Sequence, residues 1–166
     1  MWGERKIEII ESLPKEVQQA RIAMGLIQYV LIYSGRGAEF FEGEMFNFWP
    51  FYNPLIDKRV EVPYNIRELI RVFINKFGKE NYYKINIREF FGYLKGIINE
   101  VDFETLKEEE RKLLQKQAHH LLQLYERYKT FIPDEPSEKP ARGFMKDFID
   151  FVSKKFRVER NEENPN

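Results

Sequence analysis

The side chains that most often carry proton transfer or metal binding are few in this chain. His119 and His120 are its two histidines. Adjacent positions on a helix point about 100° apart, so the two imidazoles cannot close on one metal as an i, i+4 pair does. Lys116 and Gln117 stand where a Glu-x-x-His pairing needs a carboxylate. Glu108, Glu109 and Glu110 fall in the first turn of an expected helix, where negative charge suits the macrodipole. Gly35-Arg36-Gly37 has neither the spacing nor the lysine of a phosphate loop and reads as a helix stop. There is no cysteine, which removes thiolate chemistry, disulfides and zinc ribbons together. No serine–histidine or paired-carboxylate arrangement emerges. The expectation is a chain with no catalytic residue, no cofactor and no metal site, not an enzyme.

Two other groups of residues are suited to binding. Phe46, Phe48, Trp49, Phe51 and Tyr52 crowd into seven positions. Aromatics on a loop stack bases, clamp ligands or anchor partners. Residues 35–63 carry five acidic and three basic side chains, which disfavours a phosphate backbone there. The choice is between a lid that buries Trp49 on the core and an interface that presents it. The exposure penalty of a large ring favours the lid. The second group lies in residues 64–100, with seven lysines and arginines against four glutamates. Arg67 and Arg71 are one helical turn apart. Arg88 and Lys95 are two turns apart with Gly92 between them, so a backbone can approach closely. Such a face is a candidate for phosphate contact.

The elements that position these residues are helical throughout. Ile22–Tyr33 is apolar on every side except at Gly25 and Gln28, and reads as a buried central helix. Ser12 and Pro14 open it, and it is too short for a bilayer, which needs about 18–20 apolar residues. Glutamates precede it and no cleavage site follows, so it is a poor signal peptide. A short amphipathic helix is expected over 2–11. Residues 35–63 read as an irregular loop with a helical turn near Ala38–Phe41 and a lone strand at Arg59–Val62. Asn65 and Asn86 each precede a glutamate by three residues, as does Thr105, and these predict capped starts for three helices. The first is expected to stop at Gly78. The third carries a heptad seam of Leu114, Ala118, Leu121, Tyr125, Tyr128 and Ile132. Residues 133–143 form a proline-rich connector, and a last helix over 144–156 turns Phe144, Phe148, Phe151, Val152 and Phe156 inward. Residues 157–166 read as a disordered tail.

The expected fold is an all-α bundle of five or six helices around one central helix, a single domain over residues 1–156. Lysine plus arginine equals aspartate plus glutamate at 27 each, which argues against a strongly electrostatic nucleic-acid binder. High charge without cysteine is thermophile-like and fits a cytoplasmic protein. The functional expectation is a helical subunit or adaptor that docks on a protein partner or on itself, without a membrane. The alternative is a nucleic-acid-contacting subunit of a ribonucleoprotein, such as an RNA-guided effector complex, using the 64–100 face.

Overall fold

The computed structural model describes residues 13–51, 63–77, 84–134 and 139–158. Over them run five α-helices: α1 (Lys15–Ser34), α2 (Tyr64–Phe77), α3 (Ile87–Asn99), α4 (Glu108–Tyr128) and α5 (Ala141–Lys155). The helical bundle is as expected, and α1 is its centre. It packs against α2, α3 and α4, while α5 closes the body across α3 and α4. Val17, Ala20, Met24, Leu26, Ile27, Val30 and Leu31 of α1 have no exposed surface. A helix apolar all round is stable only when other elements cover every side of it.

One element was not expected. A small antiparallel sheet of β1 (Phe41–Glu42), β2 (Met45–Asn47) and β3 (Lys84–Asn86) lies in that order beside the helices. Phe46 pairs with Phe41 on one side and with Ile85 on the other. Residues 41–47 are therefore a hairpin and 49–51 a 3-10 turn where an irregular loop was expected, and strand β1 begins where a helical turn was expected. Gly43 makes the turn possible. Its φ of +60° at the first central position is the conformation a tight hairpin demands and that glycine adopts without strain.

Four helix starts also differ from expectation, three of them set by proline. Helix α1 begins directly after Pro14, α2 after Pro63 and α5 after Pro140. Each proline is extended or outside the helix and its carbonyl takes the first helical bonds. The N–H groups of Ile66 and Arg67, for example, donate to the Pro63 oxygen at 3.0 and 3.1 Å. Proline supplies no N–H of its own and disfavours helix in the residue before it, so it sets a boundary without a side-chain cap. Asn65 consequently lies inside α2 and does not cap it. Asn86 does cap α3, accepting from the N–H of Arg88 at 2.8 Å and of Glu89 at 3.3 Å. Thr105 belongs to a 3-10 turn, and α4 starts three residues later, with Glu110 accepting from the Lys107 N–H at 2.9 Å. The connector is shorter than expected because α5 starts at Ala141. The helix over 2–11, the Ser12 cap, the strand at 59–62, the Gly78 stop and the tail from residue 159 lie outside the described residues.

Helix α1 ends in two different glycines. Gly37 has φ of +91°, and the N–H of Ala38 reaches back to the Tyr33 oxygen at 2.9 Å, a left-handed stop. Gly35 is required by space: a Cβ there would stand 2.6 Å from the ring of Tyr128. The seam of α4 is buried as read, with Leu114 and Leu121 fully covered and Leu124 added to it, while Tyr128 is partly covered. Leu121→Ala is expected to cost about 2–5 kcal/mol and lower the melting temperature by several degrees. Gly35→Ala is expected to destabilise by about 1–3 kcal/mol through the clash with Tyr128. Denaturant titration of both variants beside the half-buried Leu122→Ala checks the assignment, since loss at 122 equal to that at 121 would reverse the seam's orientation.

Candidate functional site

The hairpin holds its rings in a fixed array. Phe46 stacks on Phe90 of α3 with centroids 3.9 Å apart and planes 9° apart. Phe48 stacks on Phe73 of α2 at 5.8 Å, and Phe40 stacks on Phe46. Such pairs contribute about 0.5–1.5 kcal/mol each beyond the area they bury. Phe46 and Phe48 have no exposed surface, yet Trp49 between Phe48 and Pro50 keeps 49% of its own. The lid expectation therefore holds for two rings and fails for the tryptophan. Phe46 faces inward from β2 and Phe48 follows it into the core, and the chain then turns at Trp49–Phe51, which leaves Trp49 at the rim. The Trp49 N–H donates to Asn47 Oδ1 at 2.9 Å, so the turn is tied at its start. Phe51 is half-buried, meeting Phe40 at 5.0 Å and Tyr33 of α1 at 6.4 Å edge-on. Tyr52 lies outside the described residues. Trp49 thus sits on a short 3-10 turn, Trp49–Phe51, braced on both sides by core aromatics.

The four candidate cations of the 64–100 stretch divide into two pairs. Arg67 and Arg71 project from α2, and Arg71 forms an ion pair with Glu68. Arg88 and Lys95 project from α3 toward α5. The Arg88 guanidinium lies 5.4 Å from the Phe144 ring centre, and the Lys95 ammonium 5.9 Å from that of Phe151. Two lysines from α5 and the stretch before it join them. Lys139 lies 4.8 Å over Phe144 and pairs with Asp147, and Lys155 Nζ donates to the Asn99 oxygen at 3.4 Å. Reading the sequence missed both lysines as members of this group, because only the packing of α5 on α3 brings them there. Gly96 was legible, being one turn beyond Gly92. Both glycines are exposed in mid-helix, and a Cβ at either would meet nothing within 4 Å.

A third polar group lies between α1 and α4. Gln117 Nε2 donates to the Arg21 oxygen at 3.0 Å and to Gln28 Oε1 at 2.9 Å. Burial pushes the Arg21 guanidinium below its ordinary pKa. This explains Gln28, the polar interruption in α1: it is satisfied across the helix interface. His119 is half-buried and His120 exposed on α4. Among the described residues no group of three His, Cys, Asp or Glu stands close enough to hold a metal ion, and no helix is long and apolar enough to cross a membrane. No family model, curated protein or solved structure matches this chain.

The two exposed glycines generate a direct test. Glycine in a helix interior costs about 0.5–1 kcal/mol relative to alanine. With open space around both, Gly92→Ala and Gly96→Ala are each expected to raise stability by that amount, the reverse of Gly35→Ala. Thermal melts read this, and a loss of stability in either variant would mean that the glycine is needed by the fold itself.

Proposed function

We propose that the chain is a non-enzymatic, cytoplasmic helical subunit or adaptor that docks through the turn at Trp49, onto a protein partner or a second copy. The observation that carries this reading is the half-exposed indole of Trp49 beside two fully buried phenylalanines. A large ring left half in water gains free energy when a partner covers it. The brace of Phe46, Phe48 and Phe51 lowers the entropy lost when that turn is held, so preorganisation adds to affinity. The absence of cysteine supports the compartment.

A second reading, nucleic-acid contact as part of a ribonucleoprotein of the RNA-guided effector kind, has one observation in its favour. Arg67, Arg71 and Arg88 are exposed and Lys95 half-exposed, all outside the core. Contact of this type is weak, salt-dependent and indifferent to sequence.

The docking reading is tested by Trp49→Ala and by a photo-crosslinking residue at position 49, with exposed Lys116 on α4 as the control site. Trp49→Ala is expected to lower the melting temperature far less than Phe48→Ala, because half of the indole is exposed and the Phe48 ring is fully buried. The crosslinker, placed in the cells from which the chain comes, is expected to capture one discrete partner at 49 and none at 116. Sedimentation of the purified chain with and without the substitution then tells a second copy from a different protein. A large drop in melting temperature with no crosslink at 49 would return Trp49 to a purely structural role.

A further inference from the structure

Helices α3 and α5 meet along a seam whose rim is cationic. From Arg88 through Lys95 to Asn99 the rim spans twelve residues of α3, about 16 Å at the helical rise. Arg88 and Lys139 flank Phe144 at one end, Lys95 lies over Phe151 in the middle, and Lys155 closes the far end on the Asn99 carbonyl. Long cationic side chains usually wave freely and lose entropy when a ligand fixes them. Here each is laid along the seam by a ring or a carbonyl before anything binds, so less entropy remains to be lost. Two carboxylates, Asp147 on Lys139 and Glu44 beside Arg88, lie at the Phe144 end. The balance along the seam is still positive. The outward surface of α3 between these cations is bare backbone at Gly92 and Gly96.

We propose that this α3–α5 seam binds the phosphodiester backbone of a nucleic acid. The inference rests on the second reading above and moves its address, replacing Arg67 and Arg71 by Lys139 and Lys155. Charge complementarity selects the occupant: the seam's four cations outnumber its two carboxylates, and the excess at Lys95 and Lys155 suits a line of phosphates. The rings of Phe144 and Phe151 are already covered by cations and Phe144 is buried, so bases do not stack there. Binding is therefore to backbone alone, without sequence preference. The glycines let that backbone lie close against α3.

The test is fluorescence anisotropy with a labelled 20-nucleotide oligouridylate at low salt. The wild type, Arg88→Glu with Lys95→Glu, and Arg67→Glu with Arg71→Glu are compared, each checked for helicity by circular dichroism. The wild type is expected to bind with an affinity that falls as salt rises. The α3 pair is expected to lose at least about tenfold in affinity and to flatten the salt slope by about 1.4 units, from about 0.7 per phosphate contact on a single strand. The α2 pair is expected to stay within about threefold of wild type once salt reaches about 0.1 M, where the Debye length is about 10 Å. Lys155→Gln, which leaves both rings covered, is expected to lose about threefold and keeps the test open if the double variant unfolds. No binding by the wild type overturns the nucleic-acid reading and the seam together. Wild-type binding with equal affinity in the α3 pair and in Lys155→Gln, or a larger loss in the α2 pair, overturns the seam alone. Displacement of the RNA by polyglutamate at equal charge concentration makes the seam a site for an acidic protein and overturns the nucleic-acid assignment.

Discussion

The ring of Phe46 lies flat on that of Phe90, and the hairpin's place in the molecule depends on that contact. Phe46 is the middle residue of the middle strand, paired to Phe41 and to Ile85. Its side chain is the point where the sheet meets α3. A sheet of strands two and three residues long has too few ladder bonds to stand alone in water. It persists because Phe40, Phe46 and Phe48 extend the aromatic core that Phe73, Phe90 and Phe91 begin. Phe91 carries the same contact chain on to Phe144 and Phe148 of α5. One continuous run of rings thus joins the hairpin, α2, α3 and α5 around the central helix.

That arrangement has a consequence at the surface. Phe46 and Phe48 are buried, and directly after them the chain leaves the strand in a 3-10 turn at the rim. Trp49 emerges there on a turn whose backbone is tied to Asn47 and whose far side rests on Tyr33 through Phe51. A rigid base beneath an exposed ring is the physical condition for a preorganised anchor. The same economy operates on the α3–α5 seam, where aromatic faces hold cations in place. Cation–ring attraction at exposed sites is worth only about 0.5–1 kcal/mol, so its effect is on position more than on stability.

The glycines separate two uses of the missing side chain. Gly35 is glycine because Tyr128 occupies the space, and Gly37 and Gly43 because the backbone turns left-handed. Gly92 and Gly96 have neither reason within the described residues. A helix that carries two such positions on its open face gives up stability that alanine would supply.

Much of the bundle was legible in the sequence. A run apolar on both sides can only be a covered helix, so α1 was readable as the centre. The 3.6-residue spacing of Leu114, Ala118, Leu121 and Tyr125 gave the inward face of α4, and Asn86 gave the start of α3, because a cap bonds to residues two and three positions away. These are local properties of the chain. The proline-set starts of α1, α2 and α5 were also local. Those of α1 and α2 were misread because caps at Ser12 and Asn65 were weighed above a carbonyl that needs no side chain, and that of α5 because Pro140 was counted into the connector. The Glu42-Gly43-Glu44-Met45 turn was readable as a hairpin, but its two flanking strands are too short to carry a period of their own. What only the tertiary structure decided is non-local. The third strand comes from residues 84–86, some forty positions beyond the hairpin, and no periodicity links them. The exposure of Trp49 depends on which face of the hairpin α2 and α3 cover. The company kept by Arg88 and Lys95 depends on α5 packing on α3, which brings in Lys139 and Lys155 and leaves Arg67 and Arg71 on another helix. Side-chain spacing along one element states which residues share its face, and the packing of the other elements states what that face meets.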